Sequence, residues 1–236
     1  MKITERQKSI LEKVIDEYIE TAYPVSSQLL EKKYDFGICP AMIRIEMEKL
    51  TDAGFLDQPF ISAGRVPTDK GYRFFVDRVL DTKIPEFRGI EKMEKELKEE
   101  RDDVFGFTTK LARLLAKASS NMAMLHLLED DLIVKDGWEE LMREPEFANR
   151  DLLFGFTDFL EDWEENIDDL KLNSDIKVYI GKENPVGKKK NFSTISSKCR
   201  LPGKKEGVVS LVGPTRMSYE KNISIMKSLV ELMDNF

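Results

Sequence analysis

Apolar positions near the start of the chain recur every three and four residues. Ile10, Leu11, Val14, Ile15, Tyr18 and Ile19 form one such stripe and predict a helix. Thr4 stands three residues before Gln7, the spacing of a capping box at its start. Tyr23-Pro24-Val25-Ser26 breaks the pattern, and Ser26 can cap a second helix that reaches Lys33 and buries Leu29 and Leu30. Tyr34-Asp35-Phe36-Gly37 predicts a turn. Pro40 then suits the first turn of a third helix running to Ala53, where Gly54 stops it. At ~100° per residue, Ile43, Met47 and Leu50 share an inward face. Ala41, Ile45, Glu48 and Lys49 point outward, with Met42 and Arg44 on the flanks. An outward face that carries Met42 and Ile45 can meet thymine methyl groups in a DNA major groove, or it can pack on another domain.

The period changes at Phe55. The stretch to Arg73 reads as a short apolar strand, a loop with Gly64 and one arginine, Arg65, at its tip, and a new helix capped by Thr68. Helix, hairpin with a basic tip, helix is the layout of a winged helix-turn-helix, which lays one helix in the major groove and a wing on the flanking backbone.

From Ile90 a different pattern sets in. Ile90, Met93, Leu97, Glu100, Val104, Phe107, Leu111, Leu114 and Ala118 alternate spacings of three and four, with Glu100 as the only polar interruption. This seam predicts one long helix, paired with a partner helix in a homodimer or packed on its own domain. Gly106 weakens it locally. On the paired reading, charge placed at Leu97 and Leu111 gives monomers. Beyond it, Met122–Leu125 and Leu132–Val134 read as strands around the turn Glu129-Asp130-Asp131. Trp138–Met142 and Leu152–Asn166 read as helices. Ile176–Ile180, Ser193–Cys199 and Val208–Val212 are strand candidates, the last two joined by Pro202-Gly203-Lys204-Lys205. A helix from Tyr219 to Phe236 closes the chain and buries Ile223, Met226, Leu229, Val230 and Met233. The expected class is α+β, with a mostly antiparallel sheet.

Composition adjusts this picture in two ways. The 236 residues suffice for one large domain or two smaller ones, without a run of about 18 apolar residues that could span a membrane or an apolar signal core at the start. Cys39 and Cys199 are too few for a disulfide scaffold or a zinc cluster, so a cytoplasmic chain without metal or cofactor is expected. The net charge of −7 is unevenly spread: residues 89–175 hold 24 acidic against 11 basic side chains, while residues 1–88 are close to balanced. An acidic total lowers the expectation of nonspecific nucleic-acid binding but leaves room for local phosphate contacts.

Three stretches resemble the heat-inducible transcription repressor HrcA family. One runs from Thr4-Glu5-Arg6-Gln7-Lys8 through Tyr18-Ile19-Glu20-Thr21 to Pro40-Ala41-Met42-Ile43-Arg44, Glu46-Met47 and Leu50. The second is Ser62-Ala63-Gly64-Arg65 with Pro67-Thr68-Asp69-Lys70-Gly71-Tyr72-Arg73. The third joins Tyr179-Ile180-Gly181-Lys182-Glu183-Asn184-Pro185 and Val212-Gly213-Pro214-Thr215-Arg216-Met217-Ser218-Tyr219, with Pro145-Glu146-Phe147-Ala148 as a shorter match. The resemblance covers residues 1–80 nearly continuously and 132–236 in blocks. It implies a dimeric repressor on an inverted-repeat operator (the CIRCE element), a winged-helix domain, a GAF-like domain, an inserted dimerising domain, and dependence on the chaperonin GroEL.

On that basis the chain divides into a DNA-binding domain at 1–80, a linker and dimerisation helix at 81–118, and a reduced GAF-like domain at 119–236. The expected DNA-facing set is Ser26, Ser27, Pro40, Ala41, Met42, Arg44, Ile45, Lys49, Ser62, Gly64, Arg65, Thr68, Lys70, Tyr72 and Arg73. The expected dimer contacts are Ile90, Met93, Leu97, Val104, Phe107, Leu111 and Leu114. Two departures from the family pattern stand out. Only Leu128-Glu129-Asp130-Asp131 lies where the family carries a long segment with the inserted domain. Cys39, Met42 and Ile45 occupy positions where the family usually shows Ser, Thr and Asn, so operator preference is expected to differ.

Nothing in the sequence builds a catalytic constellation. The sole histidine, His126, sits among apolar residues as a packed or surface side chain. Glu164-Glu165 and Asp168-Asp169 read as a solvated helix face, Gly181 and Gly187 form no phosphate-cradling series, and Lys188-Lys189-Lys190 reads as a solvated loop. A small-molecule sensor and a purely protein-binding module are the alternatives to a repressor.

Overall fold

Thr4 closes the expected capping box: its hydroxyl accepts the Gln7 N–H at 3.2 Å, and Gln7 Oε1 accepts the Thr4 N–H at 2.9 Å. It starts α1, Glu5–Thr21. Ser26 caps α2, Ser27–Lys33, and α3 follows over Pro40–Asp52 with proline in its first turn. Cys39, at the cap position of α3, gives no side-chain hydrogen bond. Gly54, at φ 77°, carries the chain out of α3 through a conformation that costs a side-chain-bearing residue more. A two-stranded antiparallel hairpin, β1 (Leu56–Asp57) with β2 (Val66–Pro67), leads into α4, Asp69–Asp81, capped by Thr68. These elements form one compact unit, Met1–Thr82. Its core takes Ile10, Leu11, Val14 and Ile15 from α1, Leu30 from α2, and Ile43, Met47 and Leu50 from α3, with Tyr72, Phe75, Val76 and Val79 from α4. Burying each such side chain contributes roughly 1.5–3 kcal/mol. The coordinates are a computed structural model that describes residues 3–167, 172–186 and 191–234. Asp168, Asp169, Gly187, the run Lys188–Lys190 and the end of the chain at Phe236 lie outside the described residues.

The second unit spans Lys83–Phe236. Its first segment corrects the single long helix expected over Ile90–Ala118: two helices, α5 (Ile90–Lys98) and α6 (Val104–Ser119), are separated by a turn at residues 99–103. Asp103 caps α6 by accepting the Phe105 N–H, so a local cap ends the continuity that the apolar spacing alone implies. Five strands then form one antiparallel sheet in the order β4-β3-β7-β6-β5. They are β3 (Met122–Leu127), β4 (Leu132–Asp136), β5 (Lys177–Ile180), β6 (Phe192–Leu201) and β7 (Lys205–Pro214). Between them lie a short α7 (Trp138–Leu141) and α8 (Arg150–Asn166), and α9 (Tyr219–Asp234) closes the unit.

The register sorts the sheet's side chains into two faces. Met122 and Met124 of β3, Val208 and Val212 of β7 and Phe192 of β6 share one cluster with Phe156, Phe159, Leu160 and Trp163 of α8. The opposite face packs on α6 and α9, where the Ser193 and Tyr219 hydroxyls meet at 2.8 Å. Against the α8 face, Phe147, Phe156, Phe159 and Phe192 interlock with centroid separations of 5.0–6.4 Å. Arg216, just beyond β7, pairs with Glu146 at 2.6 Å and with Glu144, which fixes the turn before α8 to the end of the sheet. The β3–β4 connection is the short turn Leu128–Asp131 expected from sequence. His126 is buried, its Nε2 3.4 Å from the Asp131 carboxylate.

Candidate nucleic-acid interface

In the first unit, α3 presents its outward face as the angular pattern predicts. Ile43, Glu46, Met47 and Leu50 are buried, whereas Met42 and Ile45 are 40% and 43% exposed. Beside this face a cavity of about 270 Å³ opens between the start of α2, α3 and the hairpin. Arg44 lines it from α3, Ser26, Ser27 and Gln28 from α2, and Gln58, Ser62, Gly64 and Arg65 from the hairpin. Six of the expected contact residues thus share one concave surface. Gln28 and Gln58 line it too and were not expected; Gln28 directly follows Ser27, whereas only the folded hairpin brings Gln58 to the groove, and both can donate and accept hydrogen bonds.

The two cations of α3 differ in commitment. Lys49 Nζ lies 2.8 Å from Glu46 Oε1, and Gln7 Nε2 donates to the other oxygen of that carboxylate at 2.9 Å. The Lys49 hydrogen bond, seconded by Gln7, outweighs burial and holds the Glu46 carboxyl below its usual range. Arg44 makes no hydrogen bond or ion pair among the described residues. It is the cation on this surface with its full donor set available.

Arg65 requires a correction. It does not stand at the hairpin tip. Its backbone exchanges two hydrogen bonds with Val25, at 2.8 and 2.9 Å, and its Nε donates to Thr51 Oγ1 at 3.0 Å. The isolated bridge Val25–Arg65 ties the hairpin's base to the α1–α2 connection. Gly64 permits this, because a Cβ there would come within 2.4 Å of the Val25 carbonyl oxygen. The tip is Phe60-Ile61-Ser62 instead.

The residues expected from the start of α4 also move. Thr68 is occupied as the cap of that helix, accepting the Gly71 N–H at 3.1 Å. Lys70 Nζ donates to the Ala53 carbonyl at 2.7 Å and lies over the Phe55 ring, which caps the end of α3. Tyr72 is only 2% exposed and belongs to the core, so it has no free surface for a duplex. Arg73 faces Asp77 at 3.2 Å. A motif marks a stretch as characteristic, and here much of that character is structural.

The dimer seam fares likewise. Ile90, Met93, Leu97, Phe107 and Leu111 are buried within the second unit, and Val104 and Leu114 are partly so. Their apolar spacing is spent on packing against α9 and the sheet.

The fold and this surface define a two-unit α+β protein with an amphipathic helix and a clamped hairpin flanking one polar groove. The chain belongs to the HrcA family, since the model of the HrcA protein C terminal domain matches residues 69–223. It is 27% identical to a heat-inducible transcription repressor HrcA from Thermodesulfovibrio yellowstonii, over 96% of this chain and 95% of that protein. That alignment runs over 335 positions against 236 residues here, so the relative carries internal segments that this chain lacks. A repressor of the same name from Alkaliphilus metalliredigens is 54% identical over 80 residues, 34% of this chain. A crystal structure of a hypothetical protein matches the fold with a TM-score of 0.76 at 19% identity, covering 99% of this chain and 97% of that one. No helix among the described residues is long and apolar enough to cross a membrane.

Proposed function

We propose that this chain is a DNA-binding transcription repressor of heat-inducible genes, a regulator and not an enzyme. The carrying observation is the α3 face with its uncommitted Arg44, set beside a groove that the hairpin shares. The names of its relatives support the same reading. The first unit reads as a winged helix, with α3 in the major groove and the β1–β2 hairpin as the wing, and the second as a reduced GAF-like domain. An inverted-repeat, CIRCE-like operator read by a homodimer doubles the few base contacts one such module offers. The family resemblance adds a chaperonin as a protein partner.

A ligand-sensing role finds less support. The aromatic rings of Phe147, Phe156, Phe159 and Phe192 fill the space against the α8 face of the sheet, where a small molecule would need room. Selection of binding sites from randomised duplex DNA tests the proposal. An enriched inverted repeat is expected, with log affinity falling linearly against log salt. A library that emerges unenriched overturns it and favours a protein-binding module.

A further inference from the structure

Phe60 and Ile61 stand at the tip of the β1–β2 hairpin, 65% and 93% exposed. Their presentation is fixed. Ala63 N–H donates to the Phe60 carbonyl at 3.0 Å, and Ser62 sits at φ 70°, so residues 60–63 form a tight turn with Ile61 at its corner. Gln58 Nε2 crosses the loop to the Ala63 carbonyl at 2.9 Å. Below that, the Val25–Arg65 clamp and the close approach of Gly64 hold the hairpin's base. A serine in the left-handed region is sparsely populated backbone, and here it aims two large apolar side chains at solvent.

The chemistry of the tip selects its partner. Residues 58–64 carry no charge, so the tip offers a phosphate no ion pair. Cations sit behind it instead, Arg44 and Arg65 both lining the groove at its base. An uncharged prong in front of a cationic groove fits a target with an anionic rim and an apolar interior. In duplex DNA the phosphates form that rim and the stacked base faces that interior, and base steps opened from the minor groove accept phenylalanine and isoleucine as wedges that unstack and kink the duplex. We propose that Phe60 and Ile61 form such a wedge, entering the minor groove beside the α3 site and setting a preference for easily unstacked pyrimidine–purine steps there. This rests on the DNA-binding reading above. It makes the tip a determinant of specificity through deformation of the duplex, separate from the cations that supply phosphate attraction.

The test compares the parent with a Phe60→Ser/Ile61→Ser chain on a duplex enriched by selection, using fluorescence anisotropy across a salt series and energy transfer between labelled duplex ends. The serine chain should bind on the order of tenfold more weakly at every salt concentration. Its slope of log affinity against log salt should equal the parent's, and the duplex should straighten. Phe60→Leu/Ile61→Leu should retain affinity and bend. Because both side chains are exposed, melting temperatures should agree among all three chains; should the serine chain melt lower, the leucine chain decides, by keeping or losing the bend. Parent affinity and bend in the serine chain would overturn the wedge while DNA binding stands. So would a shallower salt slope, or a loss of self-association with DNA affinity intact. A parent that enriches no duplex overturns the DNA reading itself.

Discussion

Arg44 and Lys49 stand on the same helix and carry the same charge, yet they are not equivalent donors. Lys49 is already held by Glu46, whereas Arg44 has its whole guanidinium fork available. Arg44→Ala should therefore weaken DNA binding by roughly 1–3 kcal/mol and relax preference at one position in each half-site, if it reads a guanine bidentately. Lys49→Ala should cost less, act on all sequences alike and flatten the salt slope slightly; a gel-shift series on selected and scrambled duplexes separates the two. Ile45 is exposed beside Arg44 and apolar, so it suits a thymine methyl. Ile45→Asn should move the preferred base toward adenine at one symmetric pair of positions, again by roughly 1–3 kcal/mol, and an unchanged ranking in a selected library would remove α3 from base reading. Gly64 makes a purely structural prediction. A methyl group there meets the Val25 carbonyl at 2.4 Å, so Gly64→Ala should destabilise the first unit by roughly 1–3 kcal/mol in chemical denaturation. Parent stability in that variant would mean that the clamp yields.

Glu17 of α1 is buried and takes its polar partners from the end of α2, Lys33 and Tyr34. Burial pushes the Glu17 carboxyl up, but the hydrogen bonds from Lys33 at 2.7 Å and the Tyr34 hydroxyl at 2.7 Å outweigh it and hold it below the ordinary value of 4.5. A depressed carboxyl contributes stability above its unfolded pKa and loses it as pH falls through the folded one. Glu17→Gln should thus melt below the parent at pH 7, and the gap should close once the pH drops well under 4.5. An equal gap at both ends of an acid titration would rule this ion pair out as the cause. Tyr34 is pushed up to about 12, first by that same hydrogen bond, so its share persists below 10 and disappears only as pH rises through about 12. None of this was legible in the sequence, because Glu17 looked like one more charged residue on α1 and its partners stand at the far end of α2. Local chemistry was legible. Thr4 with Gln7, Ser26, Pro40, Gly54 and Thr68 marked helix ends through bonds made within three residues. The inward stripe of α3 followed from periodicity, and the five strands lie at the stretches read as strand candidates. What failed had two causes, one local and one long-range. The spacing from Ile90 to Ala118 is the same for one helix or two, and only the cap at Asp103 marks the break. Arg65 resembled a tip residue until Val25, forty positions earlier, closed on it.

An apolar seam cannot serve as both core and interface, and this decides how the assembled protein should respond to charge. Leu97 and Leu111 are fully buried within the second unit, so an aspartate at either site enters the core without a partner. The expectation that charge there would release folded monomers is therefore replaced. Leu111→Asp should destabilise the second unit by about 4 kcal/mol or more, seen as a lost or strongly lowered transition in calorimetry and not as a clean halving of mass. Phe154→Glu supplies the comparison: that ring is on the surface of α8 at 65% exposure, and its replacement should leave the melting temperature within about a degree or two. The homodimer proposed above would then use surface other than this seam, and light scattering on the parent gives the stoichiometry directly. A stable, folded Leu111→Asp monomer with the parent's melting temperature would instead place the seam at the surface, as an interface and not a core.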